Sequence, residues 1–143
     1  MNDFEVTAPR LVKYLNNAII VSRISHWNVR GQLFFQYHLL FERVYNELSE
    51  LMDTMVEQLR ALGHSPTFQE FSGPGIDVPS YDPETLVNLT LDYLMSLQGV
   101  FTAAFEFTEE NEDPRLIGFG DFLQSGLQTM LQLQYLLTAE LGY

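Results

Sequence analysis

From residue 33 to residue 62 the chain keeps apolar side chains three and four residues apart without interruption. Phe34, Tyr37, Phe41, Val44, Leu48, Leu51, Met55, Leu59 and Leu62 hold that spacing, and Gly63 with Pro66 ends it. Thirty helical residues span about 45 Å. In a chain of 143 residues such a rod must lie beside others of similar length. Tyr45 and Met52 add apolar surface on a second side. A helix apolar on two sides is buried twice, once in its own bundle and once against another subunit.

Three more segments read as partners for it. Residues 7–31 form a first helix, with Thr7 as N-cap, Pro9 in the first turn and Gly31 as stop. Leu11, Leu15, Ile19, Ser22 and His26 share one of its faces. Asp82-Pro83-Glu84 caps a third helix running to about 110, and after the acidic break EENEDPR a fourth covers about 116–141. The connection 63–82 is long and rich in Pro and Gly, with a short helical turn around 67–71. No strand alternation or repeat is visible. The expected fold is all-α, a four-helix bundle over residues 1–143. The long crossover between the second and third helices permits an up-down-down-up order, as in ferritin-like folds.

Charge and composition exclude several classes. The net charge is −12, with Lys13 the only lysine beside six arginines, so phosphate backbones are repelled. No apolar run is long enough to span a bilayer, and MNDFEVTAPR lacks the basic and apolar regions of a secretory signal. The absence of Cys rules out disulfides and thiolate metal sites and suits a reducing cytoplasm.

The residues able to hold a metal at core-facing positions are His26, His38, Asp53 and Glu57. Asp53 and Glu57 are four apart, so their carboxylates project the same way about one turn apart. Imidazoles joined to carboxylates suit iron, zinc or manganese. His38 and Asp53 are fifteen residues apart on one helix, about 22 Å along its axis, and cannot share an ion within one chain. Their angular offset is only about 60°. A two-fold axis near residues 45–46 would lay this helix antiparallel to its mate. His38 of one chain would then meet Asp53 and Glu57 of the other, giving two equal sites in an isologous dimer. His26 would join if the first two helices form a hairpin. On chemistry alone the alternative stays open: hydrogen-bonded core histidines, a solvated acidic edge, and Trp27 as packing.

The segments HWNVRG, FFQYHLLFERVYNEL and MDTMVEQLRALG resemble the Dps family, the mini-ferritins named as DNA-binding proteins from starved cells. The family's two histidines and its Asp-x-x-x-Glu pair fall on His26, His38, Asp53 and Glu57, with the resemblance strongest over residues 22–63. It implies a homododecameric shell built from two-fold dimers, with inter-subunit ferroxidase centres. There Fe(II) is oxidised, by hydrogen peroxide in preference to dioxygen, and ferric mineral is stored in the cavity. It further implies Asp53 as a bridging ligand, Glu57, His26 and His38 as terminal ligands, and Trp27 as an acceptor of radical equivalents. Of the acids near the last helix, Asp113 and Asp121 would line three-fold entry pores. The competing readings are a non-catalytic ferritin-like dimer holding zinc on the same ligands, and a purely structural bundle.

The sequence also departs from the family. MNDFEV carries no Lys or Arg, and the end AELGY is short and acidic, so DNA binding is not expected. Gln58 stands where the family often has arginine, and the last helix lacks the family's charged, tryptophan-containing ending.

Overall fold

The computed structural model describes residues 3–142 and consists of four helices. They are α1 (Asp3–Asn28), α2 (Phe34–Ala61), α3 (Pro83–Glu110) and α4 (Arg115–Glu140), with a 3₁₀ turn at Gln69–Phe71 in the crossover. Met1, Asn2 and Tyr143, parts of the two terminal segments read for DNA binding, lie outside the described residues.

The order is up-down-down-up. The short turn at 29–33 makes α1 and α2 a hairpin. The Arg30 N–H donates to the Tyr81 carbonyl at 3.0 Å, so the end of α1 meets the start of α3 and those two run antiparallel. Contacts of Thr108 with Gly120 and of Phe101 with Gly126 set α3 antiparallel to α4. The Tyr37 hydroxyl donates to the Glu140 carbonyl at 3.1 Å, which sets α2 antiparallel to α4. The crossover 62–82 therefore returns the chain along the bundle, and its 3₁₀ turn packs on α1.

Local signals explain most boundaries. The Asp82 carboxylate accepts from the Thr85 hydroxyl (2.6 Å) and the Thr85 N–H (3.4 Å), with Pro83 in the first turn. Leu33 opens α2 at φ 62°, ψ 23°, a left-handed conformation that costs an L residue about 1–2 kcal/mol.

The expected start of α1 at Thr7 is corrected. The helix begins at Asp3, and Pro9 lies inside it. Proline forfeits its own N–H bond but does not prevent the turn before it from being helical. Phe4 packs against the core, and that burial favours the extra turn. The helix also ends before Gly31, whose φ of +107° belongs to the hairpin turn.

The core is made of Leu11, Leu15, Phe41, Leu48, Met55, Leu94, Phe101, Leu123 and Met130, all fully buried. At Gly126 a Cβ would stand 2.5 Å from Phe101 Cε2, so α3 and α4 approach this closely only because that position has no side chain. Gly126→Ala should lower stability by about 1–3 kcal/mol through overpacking, despite its better helix propensity. Chemical denaturation against the parent checks this, and an unchanged midpoint would contradict it.

No helix among the described residues is long and apolar enough to cross a membrane.

Candidate metal centre

His26 sits in the last turn of α1 and His38 early in α2, facing each other across the hairpin. His26 Nδ1 lies 2.7 Å from the His38 carbonyl, and His38 Nδ1 lies 2.8 Å from the His26 carbonyl. A carbonyl can only accept, so each Nδ1 carries its proton and donates. The lone pair offered to a cation is then on Nε2 of both rings. The rings stack with centroids 3.7 Å apart and planes 19° apart.

Local structure makes this clamp available. Within a continuing helix the His26 carbonyl would take the Arg30 N–H. That N–H goes instead to Tyr81 in the crossover, which leaves the carbonyl for the imidazole of His38. Tyr45 meets the edge of the His26 ring at 5.3 Å, with the Arg23 guanidinium 4.9 Å from the Tyr45 centroid. Phe34 stacks on His38 at 5.0 Å.

A third side chain able to ligate a metal belongs to this group. One carboxylate oxygen of Glu42 and one nitrogen of each histidine all lie within 4.8 Å of one another. Glu42 was not among the residues singled out from the sequence. Its signal was present: it stands four residues after His38 on α2, the same spacing that pairs Asp53 with Glu57. His26 is 7% exposed, and His38 and Glu42 are half-buried. Two imidazole nitrogens and a carboxylate suit a borderline cation such as iron or zinc.

Asp53 and Glu57 are not part of the intrachain group. Both are exposed, farther along α2. Trp27 is 65% exposed, and Phe35 (68%) and Leu39 (51%) extend an open apolar surface beside the histidines.

The two candidate pore acids have different surroundings. Asp113 receives the Arg115 guanidinium at 2.7 Å and the Arg115 N–H at 2.9 Å, and these hydrogen bonds hold its carboxyl below the ordinary aspartate range. Asp121 is exposed in a groove of about 260 Å³ shared with Glu109 and Thr108. Gln58 lines another cavity with Arg115 and Phe119.

Comparison with known proteins agrees with this architecture. The family model for the ferritin-like domain matches residues 10–139. The "DNA protection during starvation protein" of Brevibacillus brevis is 28% identical over 109 residues, covering 72% of each chain. The protein of that name from Listeria innocua is 32% identical over 95 residues, covering 62% of this chain and 61% of its own. The crystal structure of the Dps protein from Vibrio cholerae, described as one of the ferritin-like diiron-carboxylate proteins, superposes with a TM-score of 0.85. It is 21% identical, with 97% of this chain and 89% of that one covered.

Proposed function

The chain belongs to the ferritin-like family, on its Dps branch, and from that membership we propose that it is an iron-storage mini-ferritin with ferroxidase activity. The observation that carries the proposal is the reciprocal clamp of His26 and His38, which leaves the Nε2 lone pair of each ring free in a group that includes Glu42.

The substrate is Fe(II). His26, His38 and Glu42 of one chain bind it together with Asp53 and Glu57 of a two-fold partner, whose α2 lies antiparallel. Exposure of Asp53 and Glu57, and the apolar surface of Trp27, Phe35 and Leu39 beside the histidines, support such a dimer. Hydrogen peroxide is the preferred oxidant. Two Fe(II) ions each give up one electron, the O–O bond breaks, and the oxygens leave at the hydroxide or water level. No hydroxyl radical is released when both electrons arrive together. Trp27 supplies an electron when only one iron is present. The ferric product is stored inside a dodecameric shell in the cytoplasm. Asp121, with its open groove, is the better placed of the two acids to draw cations toward a pore, because Asp113 is already neutralised by Arg115.

The test is anaerobic Fe(II) loading followed by hydrogen peroxide, monitored by ultraviolet absorbance and particle mass. Fast oxidation with the iron retained in a large soluble particle is expected. Oxidation no faster than in buffer, with zinc held at the same ligands, would favour the non-catalytic reading instead.

Duplex DNA should not be retained at physiological salt. A net charge of −12 repels it, and phosphate contacts by Lys and Arg supply essentially all non-specific affinity. A sharp gel shift with linear duplex would refute this.

A further inference from the structure

Away from the histidine pair, the crossover forms an open cavity of about 370 Å³ against the first half of α1. It is lined by Arg10 and Lys13 from α1 and by His64, Thr67, Gln69 and Glu70 from the crossover. We propose that this cavity binds a phosphate dianion, free or as the phosphoryl group of a small ester.

The charge balance carries the argument. Among the described residues Glu70 is the only carboxylate lining the cavity, and it is 7% exposed with both oxygens engaged. Oε1 meets His64 Nε2 at 2.7 Å, and Oε2 accepts the Thr67 N–H. Burial pushes the Glu70 carboxyl up, but hydrogen bonds from Thr67 and His64, with the electrostatic pull of the His64 imidazole, outweigh it and hold the carboxyl below the ordinary glutamate range. Glu70 is thus committed to organising the crossover. Both its oxygens are taken by the crossover, and it forms no ion pair with Arg10 or Lys13.

Arg10 and Lys13 are three residues apart, on neighbouring positions of one helix. Among the described residues the ion pairs are Arg43 with Glu47, His64 with Glu70 and Arg115 with Asp113. Neither Arg10 nor Lys13 belongs to one, and Arg10 lies only over the Tyr14 ring at 5.6 Å. An acidic chain with seven basic side chains, counting Lys and Arg, places two of them unpaired at one concave site. Two uncompensated cations match a dianion. A guanidinium fork, an ammonium and the Gln69 amide supply directed donors for several oxygens on one centre. The inference does not rest on the iron reading.

The experiment is calorimetric titration of the metal-free assembled protein in chloride buffer, with inorganic phosphate in one arm and glycerol phosphate in the other. Saturable binding of at least one probe, one per chain, is expected. The arm with the higher affinity distinguishes the free ion from an ester as the natural ligand. The double variant Arg10→Gln, Lys13→Gln should weaken binding about tenfold or more, as expected for lost charge-assisted hydrogen bonds. Lys13→Arg should retain it. Both side chains are exposed, and helical circular dichroism with particle mass verifies that the variants are folded and assembled. A second variant, Gln69→Glu, adds an uncompensated carboxylate and should weaken binding to a similar degree. Absence of saturable binding of both probes in the millimolar range, or binding unaffected by the double variant, overturns the proposal.

Discussion

Replacing Asp53 and Glu57 together by alanine should abolish peroxide-driven Fe(II) oxidation while leaving the bundle intact. Both carboxylates are exposed, and neither belongs to an ion pair among the described residues, so the monomer should lose little by their removal. The proposed centre loses two of its five protein ligands. Groups that only orient ligands already cost metal sites about 10–100-fold, so direct ligands should cost about hundredfold or more. The decisive refinement is complementation. The Asp53→Ala, Glu57→Ala variant and a His26→Ala, His38→Ala variant are each inactive, but a mixed dimer contains one site with every ligand present. Random co-assembly should restore about a quarter of the parent's sites, because half of the dimers are mixed and each holds one intact site of two. Stopped-flow absorbance after co-refolding provides the measurement. A mixture as inactive as its components would show that the carboxylates do not act across a subunit boundary.

The second large effect concerns the apolar surface beside the histidines. Phe35→Glu combined with Leu39→Glu leaves every proposed ligand in place and touches two residues that are largely exposed in the single chain. The folded monomer should therefore be nearly as stable as before. Two carboxylates per chain forced into an apolar contact are unpaired and desolvated, at a cost of several kcal/mol per dimer. The expected product is a helical monomer by light scattering that oxidises Fe(II) no faster than buffer. A particle of unchanged mass would place the subunit contact elsewhere on the molecule. Retained oxidation by a monomer would show that His26, His38 and Glu42 suffice without a partner.

The four helices were legible because a period of 3.6 persists over whole elements. The Asp82–Pro83 start of α3 and the Gly63 stop of α2 are written in residues that mean the same in most contexts. The start of α1 was not legible. Thr7 and Pro9 carry a valid capping signal, yet the burial of Phe4 favours one more turn of helix. The histidine pair was visible as two residues at the right spacing, but its clamp was not. That clamp depends on where the Arg30 N–H goes, and its acceptor, Tyr81, lies fifty-one residues away in the crossover. Glu42 was overlooked because a glutamate on a long amphipathic helix is usually a solvated charge. Asp113 was legible as an acid, but its neutralisation by Arg115, two residues on, needs the turn at the start of α4. The proposed placement of Asp53 and Glu57 against a partner depends on contacts between chains, which helical periodicity within one chain does not encode.

The mutual bonding of His26 and His38 also bears on how this site could change by mutation. Each ring is held by the other residue's backbone, so losing one imidazole leaves the surviving ring its hydrogen bond but removes its stacking partner and one of the two nitrogens of the pair. The two substitutions should be strongly sub-additive: a first loss disables most of the binding, and a second adds little. Iron titration of the parent, both single variants and the double variant would measure that epistasis, and additive losses would contradict it. If it holds, neither position drifts alone under selection. The pair is inherited as one character, kept whole in lineages that need the metal and released together in those that do not.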